Sequence, residues 1–255
     1  MREQVTIDTS PGIVSQTWFD HEQQRVRNGD SPCAYYGSTP TEYDREFERI
    51  NAIPIGERLA TASKRYGTAY AMDVMGTTDF SIAAEVDGQV LLTLHDWRDE
   101  QAREADIAQQ RFVIAGSVHI DEPWENGRKQ LQAVDSTVSG FDVVTCRPLL
   151  GWSGLIGLTT PAEEKNKTVH GVLQQMASSL RPGGVMLAQL PFAGNYHNWF
   201  GEVEDMSGSA VRFGKFESRR GYHRDLLELQ RTTEAELVLP PINQVLKYPK
   251  PRIRI

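Results

Sequence analysis

The chain has 255 residues, 39% hydrophobic and 24% charged, with 21 Gly and 13 Pro; this ordinary globular composition excludes fibrous and disordered classes and predicts one large domain, or one with a small appendage. Lys and Arg total 27 against 34 Asp and Glu, a net charge of −7, which argues against broad phosphate-backbone binding as the main activity. No apolar run approaches the roughly 18–20 residues that span a bilayer, the N-terminal MREQVTIDTSPG has no basic-then-apolar leader pattern, and Cys33 and Cys146 are too few for a disulfide framework or a thiolate metal cluster. Membrane insertion and secretion are therefore not expected, and a reducing cytoplasm is.

Residues 1–30 are polar and Gln-rich. Tyr35, Tyr36, Tyr43, Phe47 and Ile50 then punctuate a stretch that turns helical near Glu42, so residues 1–65 read as an N-terminal helical cap ahead of an α/β domain over 66–255. From about Tyr66 short apolar runs alternate with amphipathic segments, the pattern of stacked βα units. Strands are predicted at Ala69–Val74, Gln89–Leu94, Arg111–Ala115 and Phe141–Cys146. Gly76-Thr77-Thr78 forms a small-residue loop after the first, a charged helix covers Arg98–Gln110, and a Gln- and Lys-rich helix lies around Gly127–Val134. A competing arrangement pairs Phe80–Val86 with Val90–Leu94 as a hairpin about Asp87-Gly88.

The best-specified helix opens at Thr160-Pro161-Ala162-Glu163, with a capping hydroxyl, proline at the first helical position and glutamate three residues after the cap. Val169, Val172, Leu173, Met176 and Leu180 mark its buried face. Arg181-Pro182-Gly183-Gly184 stops it, because proline cannot continue the ladder and glycine tolerates positive φ, and Val185–Leu190 is the fifth strand. Beyond lie the aromatic segment Tyr196-His197-Asn198-Trp199-Phe200, an alternating run at Ala210–Phe216, a mixed segment to Arg231, and Leu237-Val238-Leu239, a tail expected to complete the sheet with antiparallel strands. The basic Lys247, Lys250, Arg252 and Arg254 read as a charged, proline-protected edge rather than a phosphate-binding strip.

Two stretches carry a family resemblance. Phe141-Asp142-Val143-Val144 leads into Thr145-Cys146-Arg147-Pro148, and a helix ending in Leu180-Arg181-Pro182-Gly183-Gly184 enters the next strand about thirty residues later. In order and spacing this resembles the class I S-adenosylmethionine (SAM) dependent methyltransferases, over about Tyr66 to Phe192. The resemblance implies a Rossmann-like, doubly wound and mostly parallel sheet with an antiparallel C-terminal pair, SAM as cofactor, and a ligand crevice where the strand order reverses.

Carried over position by position, the resemblance implies that Asp73 is the first-motif acid and that Met75, Gly76, Thr77 and Thr78 form the cofactor loop. It places Asp96 at the ribose, Trp97 over the adenine face, Ser117 and Val118 at the adenine edge, and Cys146 and Arg147 beside the reactive methyl. Met75 departs from the family's glycine-rich pattern. It either turns away or fills the methionine subsite, and the second outcome would leave a methyltransferase-like binding or assembly module without catalysis. Asp96 reads equally as a helix cap and Asp73 as a purely structural hydrogen-bonder.

Methyl transfer is an in-line displacement governed by alignment, so no universal acid–base motif is expected. His197 is the candidate base for an acceptor with a proton to lose, and Arg147 could pair with an acidic substrate or the SAM carboxylate. Tyr196, Trp199 and Phe200 read either as an aromatic lid with Tyr35 and Tyr36 or as core. The sequence lacks the nicotinamide Gly-x-Gly-x-x-Gly, the Gly-x-x-x-x-Gly-Lys phosphate loop and the Gly-x-Ser-x-Gly elbow, and His95, Asp96, His119 and Asp121 have no metal-site spacing. The pI near 5.4 favours a small-molecule acceptor, with protein or nucleic acid substrates left open.

Overall fold

The structure is a computed structural model that describes residues 45–74, 90–95, 111–115, 118, 120–146, 161–190, 196–217 and 223–243, with the backbone alone for 90–95, 111–115, 216–217 and 223–224. A single 3-10 turn at Glu48–Ile50 precedes α1 (Ile55–Tyr66), β1 (Tyr70–Val74), β2 (Val90–His95) and β3 (Arg111–Ala115). Then come α2 (Asp121–Val134), β4 (Phe141–Cys146), α3 (Ala162–Ser178), β5 (Leu180–Leu190), α4 (His197–Glu204), β6 (Ser209–Glu217) and β7 (His223–Arg231). The strands form one sheet in the order β3-β2-β1-β4-β5-β7-β6. The first five run parallel, and β7 pairs antiparallel with both β5 and β6. This is the doubly wound sheet with an antiparallel C-terminal pair that the sequence predicts.

Both faces of the sheet are covered, which is why β1 and β4 are buried along their whole length rather than alternating with polar residues. On one face α1 buries Ile55, Leu59 and Ala62, spaced for a single stripe, with Phe47 and Ile50, against Ala69, Ala71, Val143, Val185, Leu187 and Leu226. Gly67 ends α1 at φ +86°, its N–H closing on the Ser63 carbonyl at 2.8 Å. On the other face α2, α3 and α4 bury Trp124, Leu131, Val169, Val172, Leu173, Met176, Trp199 and Val203 against Met72, Val74, Val144, Met186 and Leu229. Each such side chain contributes on the order of 1.5–3 kcal/mol.

The hairpin of Phe80–Val86 with Val90–Leu94 is excluded. β2 is flanked by β1 and β3, both parallel to it, so neither of its edges is left for an antiparallel partner. Other boundaries shift. Pro161 is the residue before α3 rather than its first helical position, and Thr160 lies outside the described residues, as does the expected helix over 98–110. Leu237-Val238-Leu239 is not a strand. Its backbone pairs instead with one side-chain amide on α3, where Gln174 donates to the Leu237 carbonyl and accepts from the Leu239 N–H, both at 2.8 Å.

Arg181-Pro182-Gly183-Gly184, expected to lie between helix and strand, is part of β5. Phe141 pairs with Leu180 and Val143 with Val185, so two steps along β4 oppose five along β5 and the surplus forms a bulge. Gly183 takes φ +87° there. Beside the bulge, a Cβ on Gly140 would sit 2.6 Å from the Ser179 carbonyl oxygen and 2.7 Å from the Arg181 amide nitrogen, both backbone atoms that cannot swing aside. Gly140→Ala is therefore expected to lower stability by about 1–3 kcal/mol, read as a shift in the urea midpoint; an unchanged midpoint would show that this close approach is not required.

The same N-terminal edge of the sheet holds an ion pair. The Arg181 Nε and Nη2 reach Asp142 Oδ1 at 2.6 and 2.5 Å, and the Tyr70 amide donates to Asp142 Oδ2 at 2.9 Å, joining β1, β4 and β5. The Arg181 guanidinium also lies 3.8 Å above the Tyr66 ring. The Tyr70 hydroxyl donates to Asp135 at 2.9 Å, and burial together with this carboxylate pushes the phenol up to about 12. No helix among the described residues is long and apolar enough to cross a membrane.

Candidate functional site

From β1 the strand order steps outward to β2 and β3 on one side, and from β4 to β5 on the other, so the crevice of this fold opens between the C-terminal ends of β1 and β4. Asp73 and Thr145 are register partners across that junction. By strand alternation both point to the α1 face, with Ala71 and Val143, and they are 1% and 0% exposed. The Thr145 hydroxyl donates to Asp73 Oδ1 at 2.8 Å. Its 3.5 Å approach to the Met72 carbonyl is secondary, since a hydroxyl has one proton and the charged acceptor is nearer. A carboxylate this deep is costly unless it is paired and hydrogen-bonded, and the chain keeps one where two strands diverge.

A second polar pair occupies the same face. Gln189, 1% exposed near the end of β5, donates through Nε2 to the carboxylate of Glu46, which is 6% exposed in the helical turn at 45–47. Sequence reasoning missed both. The available signal was a lone amide in the apolar run Val185–Leu190, at the position that shares a face with Val185 and Leu187.

The remaining described candidates do not join the Asp73–Thr145 pair. Cys146 is buried at the end of β4, outside any disulfide, packed on the α2–α4 face, opposite to Asp73. Val118 is buried and its carbonyl accepts from Trp124 Nε1 at 2.9 Å, fixing the entry to α2. His197 is exposed at the start of α4. Tyr196, Trp199 and Phe200 are core rather than lid: they pack against one another at about 6 Å, and Phe200 stacks on Phe213 at 4.6 Å. Burial, and then the charge of Asp225, hold the Tyr196 phenol well above its ordinary range, so it stays neutral. Met75, Gly76, Thr77, Thr78, Asp96, Trp97, Ser117 and Arg147, with Tyr35 and Tyr36, lie outside the described residues.

A groove of about 510 Å³ runs between the start of α3 and Pro241–Asn243, lined by Glu163, Asn166, Lys167 and His170. It shares no residue with the crevice. Asn166 and His170 are engaged with the carbonyls of Ile242 and Leu239 at 2.8 and 3.0 Å, which makes them tethers of the C-terminal segment. Among the described residues no group of three or more His, Cys, Asp or Glu side chains is placed to hold a metal ion.

No protein-family model and no curated protein matches the sequence. Among solved structures the chain is similar to a TehB-like SAM-dependent methyltransferase from Corynebacterium glutamicum, at 13% identity over 86% of this chain and 100% of that one, with a TM-score of 0.45. It is also similar to the 1,6-didemethyltoxoflavin-N1-methyltransferase of Burkholderia thailandensis, solved with 1,6-didemethyltoxoflavin and S-adenosylhomocysteine, at 10% identity over 87% and 92% of the two chains and a TM-score of 0.39. An rRNA methylase from Streptococcus thermophilus matches at 11% identity over 65% and 88%, with a TM-score of 0.38. The strand order and the antiparallel C-terminal pair, seen directly, give the chain the Rossmann-like fold that its resemblance to class I SAM-dependent methyltransferases implies.

Proposed function

We propose that the chain is a SAM-dependent methyltransferase acting on a small-molecule acceptor in a reducing cytoplasm. The observation that carries this reading is the buried Asp73 carboxylate, held by Thr145 at the point where the strand order reverses. A carboxylate in that position suits a cationic ligand that enters the crevice at the strand ends, and the ammonium group of SAM is such a cation. SAM, when bound, supplies a methyl group on a sulfonium.

The chain's own part is binding, alignment and exclusion of water. Asp73 would hold the amino-acid end of the cofactor, and Thr145 would fix the carboxylate's orientation. Asp96 would hold the ribose, Trp97 and Ser117 the adenine, and residues 75–78 the methionine portion. Arg147 would flank the methyl, and His197 would accept the proton of a hydroxyl or amine acceptor.

Calorimetric titration of the wild-type protein with SAM and with S-adenosylhomocysteine tests the reading. Micromolar binding of both is expected. Neither heat nor a thermal shift with either compound would overturn it and leave a methyltransferase-like binding module.

A further inference from the structure

Gln189 carries an unexplained atom. Its Oε1 is buried and has no hydrogen-bond partner among the described residues. The amide nitrogen donates to Glu46, so the oxygen faces away from that carboxyl group. A buried carbonyl oxygen left bare costs more than the hydrogen bond it lacks, and native structures keep such groups mainly where something else satisfies them.

The position of Gln189 indicates what that is. The last β4–β5 register pair is Cys146 with Ala188, so Gln189 lies one residue past the paired end of β4, at the ligand edge of the sheet. It shares a face with Asp73 and Thr145. Two strand spacings and two residues of rise separate it from the Asp73 level, roughly 12 Å. That is far enough to contact a second molecule beside one anchored on Asp73. Phe47, Leu187 and Leu226 are buried apolar residues of the core cluster on the same face.

Resting on the methyl-transfer reading, we propose that Gln189 selects the acceptor: its Oε1 takes a hydrogen bond from an N–H or O–H on a small, flat, otherwise apolar ring, and Glu46 locks the amide so that it presents only an acceptor. The site thus favours donor-bearing rings such as phenols, indoles and lactams over analogues whose donor is capped.

The probes are matched pairs: phenol and anisole, indole and 1-methylindole, 2-pyridone and 1-methyl-2-pyridone. Binding is followed by saturation-transfer NMR with and without S-adenosylhomocysteine. In the wild type at least one donor-bearing member is expected to bind about tenfold more tightly than its capped partner. Gln189→Met, similar in length and apolar, should abolish the preference, while S-adenosylhomocysteine affinity changes by less than about twofold. Glu46→Gln, which frees the amide to rotate, should weaken the preference without a change of side-chain volume, and a thermal melt identifies any variant that fails to fold. No preference in the wild type, or one that survives in folded Gln189→Met, overturns the proposal. Failure of the wild type to bind S-adenosylhomocysteine overturns the methyl-transfer reading instead, and the probe preference is still read without that compound.

Discussion

Arg181→Leu is expected to destabilise the fold by about 3–5 kcal/mol, because it strands the carboxylate of Asp142 at the buried N-terminal edge of β4 without its cation. The side chains are 8% and 7% exposed, so water cannot take over the role of the guanidinium. Burial already pushes Asp142 up, against the pull of the Tyr70 N–H and Arg181, and loss of the cation raises it further. A carboxyl whose folded pKa exceeds its unfolded value near 3.8 favours the fold only while it is protonated. The deficit of the variant should therefore be small below that pH and grow toward neutrality. Urea unfolding at a series of pH values measures this. A loss under about 1 kcal/mol at pH 7 would place the pair with ordinary surface ion pairs, and Arg181→Leu combined with Asp142→Asn should recover part of the deficit.

Asp73→Asn separates binding from folding. The asparagine Oδ1 still accepts from Thr145, so the local structure should hold while the negative charge at the crevice is lost. SAM affinity is expected to fall roughly thirtyfold, or about 2 kcal/mol, with the melting temperature close to wild type. Calorimetry on the folded variant decides the matter: an unchanged affinity would make Asp73 a structural residue of β1 and remove the basis for the functional reading.

These two residues also show what local pattern conveys. β3 and β4 are where the sequence places them, at Arg111–Ala115 and Phe141–Cys146, because a short continuous apolar run bounded by polar or glycine residues is what a doubly covered parallel strand requires. β5 is longer than its apolar run, because proline and paired glycines read as breakers and the bulge that admits them depends on the facing β4. Leu237 and Leu239 have strand-like alternation, yet their backbone partner is the Gln174 side chain, which no periodicity reports. At the crevice, Asp73 stands out as a charge in an apolar strand, and Asp142 is visible in its motif without any sign that it works at the opposite edge. Glu46 and Gln189 are 143 positions apart, so their pairing is a property of the folded chain alone.

One contact links the start of the described chain to its end. Arg58 on α1 donates to Glu228 on β7 at 2.8 Å across 170 positions, and Arg212 joins the same carboxylate at 3.1 Å. β7 in turn lies between β5 and β6, so β6 reaches the sheet only through it. At about 5–20 residues per second, the ribosome releases α1 roughly 10–30 seconds before the strand that neutralises its arginine. Until then the nascent chain carries an unfinished sheet with β5 as an open margin, and this margin is the surface a chaperone would have to shield.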